Sequence, residues 1–255
     1  MIRELAENPN VHQPLSPPRE LLLDPDGRFA LYLAGGTGIH EATVQRVRST
    51  ADGVERLVGD VRRVLRARGH DGAEWELGAS SLPEDLVERL LALGLRRDPE
   101  EPLALGMALR GRPRWDTPAD VQARRVATLD ELREARRVQA AAFGLPARHD
   151  DGAERDWARE GVDGSTFVAL VDGEVVAAAY AAYTPWGLLL FGGATASEAR
   201  GRGAYRALVA ARAEEAQARA TPVLVVHAGR MSRPILERLG FAPVARIDRL
   251  LDVLE

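Results

Sequence analysis

The sequence predicts a mixed α/β fold made of two similar units, each a twisted, mostly antiparallel sheet flanked by helices. Three observations lead there. Apolar strand-like runs alternate with amphipathic helical stretches along all 255 residues. The order strand, amphipathic helix, short strand, short helix, strand occurs twice, and the short helix ends Leu93-Gly94-Leu95 in one half and Leu239-Gly240-Phe241 in the other. Hydrophobic residues make up 45% of the chain against 28% charged, the balance of a chain with a buried core.

Residues 1–24 are proline-rich (Pro9, Pro14, Pro17, Pro18) and read as an extended or packed arm. Residues 25–112 form the first unit. Phe29–Ala34 is a strand, Gly35-Gly36-Thr37-Gly38 a turn and Ala42–Val47 a second strand. Val54, Leu57, Val58, Val61, Val64 and Leu65 recur at helical spacing with arginines between them. Glu74–Leu77 is a short strand, Pro83 opens a helix with Leu86, Leu90 and Leu93 inward and Gly94 as its stop, and Leu103–Arg110 closes the unit. Residues 113–122 read as a linker, because Pro113 and Pro118 interrupt helix and ladder alike.

Residues 123–255 form the second unit. A strand at Arg125–Ala127 precedes a helix running from Asp130 to about Phe143, and Leu145–Asp163 is polar and irregular with one helical turn near Trp157. Phe167–Val171 and Val175–Tyr183 are strands across the Asp172-Gly173 turn. Leu188–Thr195 is the next strand, Gly203 to Ala218 a long helix, Val223–Val226 a strand, Ser232–Leu239 a helix ended by Gly240, and Val244–Val253 a final strand.

Composition narrows the chemistry. All 34 basic residues are arginine, so lysine Schiff bases and lysine phosphate contacts are excluded, and the absence of cysteine excludes thiolate catalysis and disulfides. A net charge of −4 gives no overall field for nucleic acid. The arginines at 62, 63, 66 and 68 read as a solvated helix face. The five histidines show no ligand spacing, so no metal site is expected. Gly35-Gly36-Thr37-Gly38 lacks the third glycine and the following βαβ unit of a dinucleotide fingerprint. The 23 uncharged residues between Glu174 and Glu198 are broken by Pro185, Gly187, Gly192 and Gly193, and read as two strands and not as a membrane helix. No secretory signal opens the chain, which reads as cytoplasmic.

The most informative segment is Arg200-Gly201-Arg202-Gly203-Ala204-Tyr205, between an apolar strand and an amphipathic helix. Two glycines let successive backbone amides converge with no Cβ in the way, and the helix start adds partial positive charge. That makes an anion cradle suited to a pyrophosphate, with Arg200 and Arg202 at its rim.

This loop resembles the acyl-CoA pyrophosphate loop of the GNAT N-acetyltransferase superfamily, usually Gln/Arg-x-x-Gly-x-Gly/Ala. The segment Ser232-Arg233-Pro234-Ile235-Leu236-Glu237-Arg238-Leu239-Gly240-Phe241 resembles that family's second motif, which ends Leu-Gly-Phe. Tyr205 departs from the usual small final residue. The resemblance implies a tandem protein, active in the second copy, that uses acetyl-CoA as co-substrate. It implies that Leu188–Thr195 and Val223–His227 splay apart, that pantetheine bonds the backbone near Ala194 and Thr195 in the wedge, and that the diphosphate sits on the amides of Gly201, Arg202, Gly203, Ala204 and Tyr205. It also implies direct attack of an amine, from a small molecule or a peptide, on the thioester.

The first half is read as a degenerate copy. Ser49-Thr50-Ala51-Asp52-Gly53 stands where the loop would be, with one glycine and an aspartate facing the place of the phosphates. This copy is expected to wall the acceptor cleft. The tyrosine acid the family often carries in the second motif is replaced by Leu236, and Leu188–Thr195 holds no ionisable residue. His227, at the end of the second splayed strand, is the best remaining proton acceptor, or else a structural histidine. Tyr180 and Tyr183 point to opposite faces of their strand, so one lines the cleft and the other packs. Ser232 either holds water or the thiolate or caps its helix. Asp150, Asp151, Asp156 and Glu160 are the acidic groups available to a cationic amine. The sequence-level function is an N-acetyltransferase acting as monomer or homodimer, without nucleic acid or membrane; the alternative is a non-catalytic acyl-CoA sensor or scaffold.

Overall fold

The computed structural model describes residues 1–145 and 152–254. It consists of two compact units, one formed by Met1–Met107, Ala228–Met231 and Pro243–Glu255, the other by Ala108–His227 and Ser232–Ala242. The elements of the first half are α1 (Ile2–Glu7), α2 (Pro9–His12), β1 (Glu20–Leu23), β2 (Ala30–Leu33), β3 (Ala42–Gln45), α3 (Val54–Ala67), β4 (Gly72–Leu77), α4 (Leu86–Ala92), β5 (Arg96–Arg97) and β6 (Leu103–Arg110). Those of the second are β7 (Gln122–Arg125), α5 (Leu129–Ala142), α6 (Ala153–Trp157), β8 (Gly164–Val171), β9 (Glu174–Thr184), β10 (Gly187–Thr195), α7 (Ala204–Ala218), β11 (Val223–Ala228), α8 (Arg233–Leu239) and β12 (Ala242–Val253).

In the first unit the strands run β1-β2-β3-β4-β12-β6, with β5 beside β12. Alternation sorts the two faces: Leu31, Val44, Trp75 and Leu250 join Leu57, Val61 and Leu65 of α3 and Leu86 and Leu90 of α4 in one core. The opposite face is polar, and Arg249 of β12 bonds Glu74 at 2.9 Å. The proline-rich arm contains two short helices, with Pro9 at the start of α2 and Leu5 and Ala6 fully buried. The helix expected from Pro83 begins later, at Leu86 after Asp85. The last strand, read from sequence within the second copy, is antiparallel to β4, with Leu250 opposite Trp75.

In the second unit the order is β11-β10-β9-β8-β7. The β8–β9 turn uses Asp172 and Gly173, both at positive φ, as the sequence predicts. Val168 and Ala178 pack with Ala135 of α5 on one face. On the other, the Tyr183 hydroxyl bonds Ser165 Oγ at 2.6 Å and Glu215 of α7 at 3.1 Å. Helix α7 lays down Ala204, Ala207, Leu208, Val209, Ala213 and Ala216. The same face carries Arg212, 1% exposed, whose Nε donates to the Leu208 carbonyl at 3.0 Å. Burial lowers its pKa to about 10. Among the described residues no helix is long and apolar enough to cross a membrane, and the uncharged stretch forms β9 and β10.

Candidate functional site

The site begins where two parallel strands part. β10 and β11 pair through Leu188–Leu224, Leu189–Val225 and Leu190–Val226, and no further pairing follows. β10 then carries one extra residue relative to β9: Phe191 faces Tyr180, while Ala194 already faces Ala178. Such a bulge bends its strand and re-aims the backbone groups beyond it. Gly192 takes φ +58° there, and its carbonyl accepts from Gln139 Nε2 of α5 at 2.7 Å. A Cβ on Gly193 would stand 2.7 Å from the Tyr205 ring, so a side chain is sterically barred at that position. The bulge is therefore held by α5 and by the first turn of α7.

Beyond the bulge the ladder fixes which groups are available. The Ala196 amide donates to the Val176 carbonyl at 2.9 Å. In an antiparallel ladder this turns Ala194 toward β9 as well, and sends the amide and carbonyl of Thr195 to the opposite edge, the side on which β11 has parted. The two residues expected to meet pantetheine thus differ, and Thr195 is the one facing outward.

Between β10 and α7 the chain turns through Gly201 at φ +84° and Gly203 at φ +87°, both in the region glycine adopts without strain. A Cβ on Gly201 would meet nothing within 4 Å. Among the described residues, the amides of Gly201, Gly203, Ala204 and Tyr205 have no protein acceptor, α7 has no side-chain cap, and its first turn has no acidic residue. Orphan amides, a helix start and two arginines converge here, the local chemistry of an anion site. Arg200 and Arg202 are exposed, and Arg202 pairs with Asp120 at 2.9 Å. That guanidinium holds the Asp120 carboxyl below the usual range.

The corresponding place in the first unit is filled from within. After Val44–Trp75, the last parallel pair of β3 and β4, β4 ends at Leu77 in a turn where the Ser81 amide donates to the Gly78 carbonyl at 3.0 Å. Leu82 then lies beside β3's continuation, its amide donating to the Val47 carbonyl at 3.0 Å while its carbonyl accepts from Ser49 at 3.2 Å. A Cβ on Gly53 would meet Ser49 Oγ at 2.7 Å and Thr50 Oγ1 at 2.9 Å. The Thr50 hydroxyl holds the Asp52 carboxyl below its ordinary value, keeping negative charge on the loop, and α3 carries Glu55 in its first turn. The equivalent edge is occupied by backbone, and the loop bears acid in place of arginine.

The remaining predicted residues are spread along these elements. His227, half-buried on β11, directly follows Val226, the last residue of that strand paired with β10. Tyr180 is half-buried on β9 between Thr166 and Phe191, on the α5 side, with its hydroxyl against Gly164. Tyr183 is the packed member of the pair, and Arg219 lies over its ring at 3.3 Å. Ser232 starts α8 without a side-chain cap bond, so the capping role expected of it is not seen. Leu236 is fully buried. Of the acids expected to attract an amine, Asp156 pairs with Arg136. Glu160 accepts from the Thr166 amide at 2.9 Å, and burial raises its pKa. Asp150 and Asp151 lie outside the described residues. Among the described residues no group of three or more His, Asp or Glu could hold a metal ion. Gln139 and Asp120 escape the sequence reading, because a donor to a carbonyl 53 residues away and an acid paired 82 residues away leave no local pattern.

The fold is shared with known proteins. Residues 129–241 match the model of the Acetyltransferase (GNAT) family. A GCN5-related N-acetyltransferase from Kribbella flavida superposes with a TM-score of 0.67 at 21% identity, covering 92% of this chain and 89% of that one. A GCN5-related N-acetyltransferase from Sphaerobacter thermophilus gives 0.66 at 17% identity, covering 91% and 79%. A tandem GNAT protein from the clavulanic acid biosynthesis pathway gives 0.63 at 15% identity, covering 99% and 87%. No curated protein sequence matches the chain. The parted strands, the bulged β10 and the glycine turn before α7 all lie within the segment that matches the GNAT acetyltransferase family.

Proposed function

We propose that the protein is an acetyl-CoA-dependent N-acetyltransferase whose second copy, residues 123–255, carries the chemistry, while residues 25–112 are a copy that no longer binds cofactor. The observation carrying this reading is the contrast between the two loops. The second leaves four amides without protein acceptors beside Arg200 and Arg202, whereas the first closes its strand edge on Leu82 and carries Asp52.

The residues present fit acetyl-CoA. Gly201, Gly203, Ala204 and Tyr205 supply backbone donors for a diphosphate, while the Arg202 amide is already turned to the Ala199 carbonyl; Arg200 and Arg202 supply charge, and the outward carbonyl of Thr195 supplies an acceptor for an extended amide chain. When bound, acetyl-CoA supplies an activated acetyl thioester. The Thr195 amide, fixed by the bulge, is a preorganised donor for a carbonyl that gains negative charge. Holding an amine beside that carbonyl supplies much of the acceleration through proximity. His227 stands where the strands part and is the proton acceptor of this reading; Tyr180 and Ser232 complete the set of polar side chains assigned to the chemistry. The acceptor is an amine of a small molecule or peptide, and the protein works as a monomer or homodimer in the cytoplasm without nucleic acid or membrane.

The alternative reading is a non-catalytic acyl-CoA sensor, favoured by Leu236 in the position of the family's tyrosine and by the lack of ionisable groups on β10. Free thiol separates the two readings. Because the chain has no cysteine, a thiol reagent sees only released coenzyme A. Thiol release from acetyl-CoA that depends on one member of an amine panel supports the transferase; binding with no release for any amine supports the sensor.

A further inference from the structure

The segment read from sequence as a linker packs along α7. The Gly111 amide donates to the Pro222 carbonyl at 2.9 Å, and Arg112 Nε donates to Gln217 at 3.2 Å. The Arg114 amide donates to the Leu239 carbonyl at 3.0 Å. Farther on, the Arg206 guanidinium lies over the Trp115 ring at 3.9 Å, Pro118 Cγ stands 2.8 Å from where a Gly203 Cβ would be, and Asp120 accepts from Arg202. The last three contacts fall on the glycine turn and first turn of α7. Pro113, Arg114, Trp115 and Asp116 line an open cavity of about 560 Å³ beside them.

We infer that residues 113–120 are an integral wall of the polyanion site, and that Asp120 sets its affinity and selectivity by holding Arg202 until a phosphate group replaces it. The inference rests on reading Gly201–Tyr205 as a diphosphate loop. The Arg202–Asp120 pair has side-chain exposures of 44% and 57%, and such exposed pairs are weak enough to exchange. A diphosphate offers Arg202 and the orphan amides charge-assisted hydrogen bonds at once, which a single carboxylate cannot match. A weakly bound anion has to compete with Asp120 for the same guanidinium, so the carboxylate raises the threshold for entry. Trp115, stacked on Arg206, and Pro118, packed on Gly203, keep Asp120 within reach of Arg202.

Calorimetric titration of the whole protein with coenzyme A tests this on the wild type, Asp120→Asn, Arg202→Gln and the double variant, with thermal melts confirming that each is folded. Asp120→Asn is expected to bind two- to fivefold tighter, Arg202→Gln weaker, and the double variant like Arg202→Gln, because Asp120 acts through Arg202. Equal or weaker binding by Asp120→Asn overturns the inference while leaving the loop assignment standing. So does a gain from Asp120→Asn that persists in full without Arg202, since that is only a general charge effect. Absence of coenzyme A binding in both wild type and Asp120→Asn overturns the diphosphate reading itself, and this inference falls with it.

Discussion

Gln139 of α5 donates its side-chain amide to the carbonyl of Gly192, at the point where β10 bulges. This bond joins a helix on one face of the sheet to the irregularity that turns the edge beyond it, including the Thr195 backbone, toward the gap left by β11. The site is built on this bend. Without the extra residue, β10 would continue in the register it keeps with β9 through Phe191.

Removing that donor should loosen the pantetheine side of the site and spare the phosphate side. Gln139→Leu is expected to weaken acetyl-CoA binding by roughly two- to tenfold, the range of one net neutral hydrogen bond. Affinity for adenosine 3′,5′-diphosphate, which has no pantetheine, should be unchanged. Titration with both ligands checks the difference; equal loss for both would mean that Gln139 acts on the fold as a whole.

The opposite flank of the bulge is steric. Gly193→Ala puts a Cβ 2.7 Å from the Tyr205 ring and should cost about 1–3 kcal/mol of stability by overpacking. Shrinking the neighbour relieves the clash, so Gly193→Ala combined with Tyr205→Leu should be less destabilised than the sum of the single changes. Denaturant unfolding of the four proteins measures this coupling.

The start of α5 makes stability depend on acid. Glu131 accepts from Arg124 and the Ala127 amide, its own amide donates to Thr128, and its pKa is lowered from 4.5 to about 2, chiefly by the Arg124 hydrogen bond. A depressed carboxyl pKa contributes stability that is present above the unfolded value and is lost as pH falls from about 4.5 toward 2. Glu131→Gln should be less stable than wild type at pH 7 by about 2 kcal/mol, allowing for partial solvent screening. The difference should shrink steadily below pH 4.5. Melts across this range check the sign; a constant difference would assign the loss to packing.

Much of this architecture is legible in the sequence because it is local. Asp172-Gly173 declares its turn, Gly240 stops α8 in the left-handed region, and the two glycines before α7 mark a backbone that must turn without Cβ atoms. What is not legible depends on distant partners. β12 looks like a strand of the second copy, yet its residues pair with β4 and β5, as hydrophobic pattern gives strand character and not strand address. The backbone of Leu82 closing the edge at Val47 and Ser49 leaves no trace in composition. The proline-bearing segment 113–120 looks like a spacer and instead packs on α7, since proline signals the absence of regular structure but not of contacts.

The structure also decides which glycine is the better probe of the loop. A side chain would be strained at both glycines, at φ +84° for Gly201 and +87° for Gly203, but one at Gly203 would also meet Pro118, so Gly203→Glu disturbs packing and ligand together. Gly201 has open space around it.

Calorimetry of acetyl-CoA binding to wild type and Gly201→Asp therefore tests whether the backbone before α7 holds the cofactor. The wild type is expected to bind one molecule per chain. Gly201→Asp is expected to lose at least tenfold in affinity, about 1.4 kcal/mol or more, with the folded state retained in a thermal melt. Two molecules per chain, or unchanged affinity in the variant, would contradict this assignment.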